Sequence, residues 1–117
     1  HWPVLWEHKA LNAKSWNDLV KRGLRASKPV YYAQVQLYMG YLELETALVT
    51  ALNKDTEALH HEVVGFDPPF AQALSDKAVD ILRAVEAGEL PPRIAADRDF
   101  YLCRMCAYAE RCWEGER

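Results

Sequence analysis

The sequence predicts a mixed α/β fold, ordered strand, helix, strand, strand, helix, with a cysteine-containing tail behind it. Three observations lead there. Val4-Leu5-Trp6 is a short apolar, β-prone run that opens into polar residues. Ala33, Leu37, Tyr41 and Leu44 recur at helical spacing. Residues 46–52 and 59–64 are runs of strand length on either side of Asn53-Lys54-Asp55-Thr56, which has the chemistry of a hairpin turn.

The bulk properties narrow the class. The chain has 117 residues, enough for one domain with a small core. Half of them are apolar and 26% are charged, an ordinary globular balance rather than a disordered one. A formal net charge of -3 exerts no overall pull on nucleic acid, so any contact with DNA has to come from a local patch. No apolar run is long enough to span a membrane, and no secretory signal opens the chain. A start at His1, almost inside a strand, is expected of a piece of a longer protein. The three cysteines all lie between Cys103 and Cys112, unlike a secreted disulfide framework, and fit a metal site in a cytoplasmic protein better.

In the opening strand alternate side chains share a face, so Glu7 and Lys9 point one way and His8 the other. A carboxylate beside an ammonium suits metal-assisted hydrolysis of a phosphodiester, with one group for the ion and the other for the water or the phosphate charge. A lone Glu-x-Lys is also a common surface pair, and the weight falls on its companions.

Residues 10–29 are polar and basic. Lys14, Lys21, Arg22, Arg25 and Lys28 face only one acid, Asp18. Ser15 is expected to cap a short helix with Trp16, Leu19 and Val20 on its inner side, ended by Gly23. The cations suit a DNA backbone held by phosphate contacts, and equally suit a solvated connection. Residues 31–44 form the clearest amphipathic helix, with Pro29 ahead of it. Gln34 and Tyr38 stand four apart and share a face, either as site residues or as boundary and core. With this helix as the crossover, the strands before and after it are expected to be parallel. His60 and His61, neighbours on the hairpin's second strand, are expected at its surface.

Asp67-Pro68 starts a second long helix, a capping carboxylate followed by proline at the first helical position. Phe70, Leu74, Ala78, Ile81, Leu82 and Val85 form its expected buried stripe, and Gly88 ends it. Leu90-Pro91-Pro92-Arg93 is a stiff linker to Cys103, Cys106 and Cys112. Thiolates two residues apart make a tight knuckle on one metal, and a third six positions later can close on it. The sequence divides at this linker, into 1–90 and 91–117.

Taken together, these residues resemble the C-terminal half of a PD-(D/E)xK nuclease, in particular the phage and prophage members related to lambda exonuclease and to RecB-type nuclease domains. The resemblance rests on Glu7-His8-Lys9 as the (D/E)xK strand, Ala33-Gln34-Val35-Gln36-Leu37-Tyr38-Met39 as the helix motif, the hairpin that follows, and the cysteine spacing of the iron-sulfur branch. It implies a partial restriction-endonuclease-like core and a Mg²⁺- or Mn²⁺-dependent deoxyribonuclease used in phage or prophage recombination or DNA processing. It further implies that Glu7 and the backbone carbonyl of His8 are metal ligands and that Lys9 orients water or stabilises the transition state. Gln34 and Tyr38 would position the substrate or the lysine. The cysteines would carry a 4Fe-4S cluster or Zn²⁺ that pins the tail to the body.

The departures from that pattern are specific. The family's Asp on a preceding strand has no counterpart here, nor has its early helix, and a fourth cysteine is missing. The intact parent is therefore expected to be the active enzyme and this chain alone to be inactive. One alternative is a non-catalytic DNA-binding or assembly module with a zinc or iron-sulfur knuckle, in which Glu7 and Lys9 are a plain surface pair. A homo-oligomer joined through the apolar edge beside Val4 to Trp6 is another expectation.

Overall fold

The computed structural model describes residues 2–114. It forms two compact units, the first running to Asp76 and the second beginning at Lys77. The division falls inside a helix, ahead of the proline-rich linker.

The first unit is a three-stranded mixed sheet with helices on one face. Strand β1 (Leu5–Leu11) lies parallel to β2 (Thr46–Asn53), which lies antiparallel to β3 (Leu59–Gly65), in the order β1-β2-β3. The parallel pairing follows from the three-helix crossover between β1 and β2, because a chain that must climb back before its next strand re-enters in the same direction. The hairpin is set by Asn53, whose side-chain oxygen accepts from the Asp55 and Thr56 amides. Along β2, Ala47, Val49, Ala51 and Asn53 are buried in strict alternation.

The crossover comprises α1 (Ala13–Arg22), α2 (Leu24–Ser27) and α3 (Pro29–Leu42). The cap of α1 is Asn12 rather than Ser15: the Asn12 side chain accepts from the Ser15 amide at 2.9 Å. Both residue types cap helices, and the chain leaves β1 at Asn12, so the helix begins as soon as the strand ends. Gly23, at φ 80°, ends α1 as expected. Leu19 is buried and Trp16 packs against the core, but Val20 is exposed.

Helix α3 starts at Pro29, with proline in its first turn, and closes at Glu43 in the left-handed conformation. Its buried stripe is Tyr32, Val35, Gln36 and Met39, not the predicted Ala33, Leu37, Tyr41 and Leu44. This helix is apolar nearly all round, so periodicity alone does not choose its inner face. The chosen face brings in Gln36, whose amide donates to the Gly65 carbonyl and accepts from the Asp67 amide, at 2.9 and 2.8 Å. A fully buried amide is tolerated because both of its ends are paired.

Helix α4 (Pro68–Ala87) is capped by Asp67, whose carboxylate accepts from the Phe70 amide at 3.1 Å. Of its predicted stripe, Phe70 and Leu74 are half-buried, whereas Ile81, Leu82 and Val85 are exposed. Phe70 meets Tyr32 of the core edge to face. Gly88 closes the helix at φ 70°.

The second unit continues with α5 (Tyr101–Arg104) and α6 (Ala109–Glu114). Arg93 fastens the linker to this tail: its Nε donates to the Cys112 carbonyl at 3.0 Å and its guanidinium lies 4.6 Å from the Trp113 ring centre. No helix among the described residues is long and apolar enough to cross a membrane.

Candidate functional site

Glu7 and Lys9 stand on the helix-covered face of β1, opposite Val49 and Ala51 of β2. The small Ala51 leaves room beside Lys9, and α3 closes over it. The Lys9 ammonium is 3.2 Å from a Glu7 carboxylate oxygen and donates to the Gln34 side-chain oxygen at 2.8 Å. It also lies 4.5 Å from the centre of the Tyr31 ring, whose negative face attracts a cation. The Gln34 amide nitrogen donates to the Tyr38 hydroxyl at 3.0 Å, which orients the opposite end of the amide toward the lysine. Each of the Glu7 and Lys9 side chains is 20% exposed, sheltered yet open to a small reactant.

The constellation is thus drawn from two elements. Period-two alternation on β1 supplies Glu7 and Lys9, and i, i+4 spacing on α3 supplies Gln34 and Tyr38. A lysine ammonium has three hydrogens to donate. One is donated to Gln34, the ammonium pairs with the Glu7 carboxylate, and no second hydrogen bond engages it among the described residues. The tyrosine that packs on Lys9, Tyr31, escaped the sequence reading. Its signal is its position: it precedes Gln34 by three residues and so shares that residue's face of α3.

His8 points to the other face of the sheet. There its Nδ1 is 2.7 Å from the Thr50 hydroxyl, which also accepts from the Trp6 indole at 3.0 Å. Only the backbone of His8 belongs with the Glu7 and Lys9 side. Of the two adjacent histidines on edge strand β3, His61 is exposed, while His60 is half-buried and meets Trp16 edge to face.

As a divalent-metal site the arrangement is incomplete. Glu7 contributes one carboxylate, and no group of three or more metal-ligating side chains converges among the described residues. Glu62 of β3 sits on the same face, across Val49 from Glu7. Its oxygens are taken up by the Leu24 amide, at 3.0 and 3.2 Å. Hard divalent ions need several oxygen ligands, so these residues amount to one corner of such a site.

The five cations of the basic segment are not equivalent. Arg22 is engaged with Asp18 and the Ala26 carbonyl. Arg25 lies over the Tyr32 and Phe70 rings and 3.9 Å from Asp67. Lys28 donates to Ser27 and stands 3.7 Å from Asp18. Lys14 and Lys21 are exposed and have no side-chain partner among the described residues. The Ser27 hydroxyl, first of all, holds the Asp18 carboxyl below its ordinary value of 3.8, with Arg22 and Lys28 adding to the effect.

In the second unit, Cys103 is buried, Cys112 half-buried and Cys106 exposed, with no disulfide among the described residues. They border one cavity of about 250 Å³ with Pro91, Arg93 and Trp113. The Tyr108 amide donates to the Cys106 sulfur at 3.4 Å.

No protein-family model, curated protein or solved structure matches the chain.

Proposed function

We propose that this chain carries the Glu-x-Lys part of a metal-dependent DNA phosphodiesterase site of the PD-(D/E)xK kind. The observation that supports it most is the ammonium of Lys9, paired with Glu7, hydrogen-bonded to Gln34 and backed by Tyr31. A surface ion pair does not require a glutamine and two tyrosines around it. In the reaction, Lys9 would orient the attacking water or take up charge on the phosphate oxygens. Glu7 would offer its remaining oxygen to a Mg²⁺ or Mn²⁺ ion beside the His8 carbonyl, and the ion would supply Lewis acidity toward the phosphate.

The missing carboxylate has a natural point of entry. β1 pairs only with β2 among the described strands, so its outer edge can accept another strand next to Glu7. The test is to fuse a strand pair bearing an Asp to that edge and to measure cleavage of linear and circular DNA with Mn²⁺. Cleavage is expected from the fused chain, with Glu7→Ala or Lys9→Ala lowering it by about a hundredfold or more. A well-folded fusion that never cuts DNA would sink the proposal.

A second reading starts from the three cysteines that border a single cavity, which do not by themselves form a metal-holding group among the described residues. There the tail would hold Zn²⁺ or an iron-sulfur cluster with a fourth ligand from elsewhere, and the chain would serve as a DNA-binding or assembly module.

A further inference from the structure

We infer that the cleft between α1 and the start of α3 is a binding site for DNA backbone phosphate, worked by Lys14 and Lys21 with Lys28 behind them. The siting of this cleft beside the reacting phosphate rests on the proposal for Lys9. The cleft measures about 520 Å³ and is lined by Lys14, Lys21 and Lys28 with Asn12, Asn17 and Asp18. Its cations outnumber its single acid, and that acid is already occupied by Ser27, Arg22 and Lys28. The ammonium groups of Lys14 and Lys21 are therefore left to attract an anion from outside. Asn12 and Asn17 add neutral polar groups at the rim, the mixture that phosphate contacts use.

Position argues for DNA rather than a small anion. Asn12 follows Lys9 by three residues along extended chain, about 10 Å at strand rise. A nucleic-acid strand advances about 3.4 Å per nucleotide. The rim of the cleft at Asn12 is thus only a short stretch of chain from Lys9, a spacing that a nucleic-acid strand can bridge and a small anion cannot. Lys14 and Lys21 are seven apart on α1, two helical turns, so they stand on one side of that helix and can follow a strand. Arg22 and Arg25, though adjacent in sequence, are spent on Asp18, the Ala26 carbonyl, Asp67 and the aromatic rings.

The test is fluorescence anisotropy of a labelled duplex with the full chain in a metal chelator, across a salt series. The double variant Lys14→Ala/Lys21→Ala is expected to weaken binding about tenfold or more and to reduce the slope of log affinity against log salt by about two. Arg22→Ala and Arg25→Ala are each expected to change affinity less than about twofold. Lys14 and Lys21 are exposed helical residues, so alanine there preserves the fold, and an unchanged circular dichroism melt verifies it. The inference is overturned if the wild-type chain fails to bind DNA, if the lysine pair has no effect, or if the arginines have as much. Competition by millimolar inorganic phosphate at fixed ionic strength would also overturn it, because it would identify a pocket for the free anion. Binding here requires neither metal nor cleavage. A fused chain that binds through these lysines without cutting would therefore remove the nuclease reading and leave the cleft standing.

Discussion

Lys9 illustrates how neighbours fix the position of a flexible side chain. A solvated lysine samples many rotamers, and ordering it costs entropy. Here the Glu7 oxygen, the Gln34 oxygen and the Tyr31 ring limit where the ammonium can go. Gln36, two residues beyond Gln34 on α3, does the opposite task. It is buried completely and ties the helix to Gly65 and Asp67. Gln36→Leu should keep the volume but deprive the part-buried Gly65 carbonyl and Asp67 amide of their partner, at a cost of about 1–3 kcal/mol. Urea denaturation followed by tryptophan fluorescence measures this, and a loss under about 0.5 kcal/mol would mean water replaces the amide.

At the scale of elements, polar contacts to Asp18 join the burial of Leu19 and Leu24 at the α1-α2 corner. The Asp18 carboxyl sits below 3.8 chiefly because the Ser27 hydroxyl favours the charged form. Since the folded value is the lower one, this support is present above the unfolded value and is lost as pH falls through the folded one. Asp18→Asn should therefore melt below wild type near neutral pH. The gap should close as the pH drops past 3.8, as thermal melts over a pH series would register. A gap that widened in acid would reverse the assignment. Element identity was readable in advance for β1, the hairpin and the Asp67-Pro68 helix start, where period, turn and cap agree. The inner face of α3 was not, because Leu37, Tyr41 and Val35 are equally apolar and only the Gln36 contacts distinguish the faces. Nor was the cap of α1, since Asn12 and Ser15 both qualify and the end of β1 decides between them.

On the scale of the molecule, each unit exposes a surface of its own. In the first, the face of the sheet away from the helices exposes Trp6, Leu59 and Val63, and among the described strands β1 pairs on one edge alone. An added strand beside Glu7 would lie on its other edge. In the second, the thiols border one cavity at three depths. Reaction with a thiol reagent should proceed at Cys106 first and at Cys103 last, because access limits attack. If the tail is loaded with Zn²⁺ or a cluster, all three should be protected together, as mass spectrometry of the labelled chain would reveal. Metal-loaded protein in which Cys106 alone still reacts quickly would exclude it as a ligand.

Local chemistry carried the order of elements, the parallel pairing implied by a long crossover, and the shared face of Glu7 and Lys9. Each of these depends on spacing along one segment of chain, which sequence displays directly. Which groups meet across segments was settled only by packing. Gln34 and Tyr31 reach Lys9 because α3 lies over β1 with the Tyr32-Val35-Gln36-Met39 stripe inward. The basic segment separates into engaged Arg22, Arg25 and Lys28 and open Lys14 and Lys21 because Asp18, Asp67 and two aromatic rings are brought beside the former. A count of charges is additive along the chain. The field a ligand meets is not, because pairing in three dimensions cancels some charges and leaves others exposed.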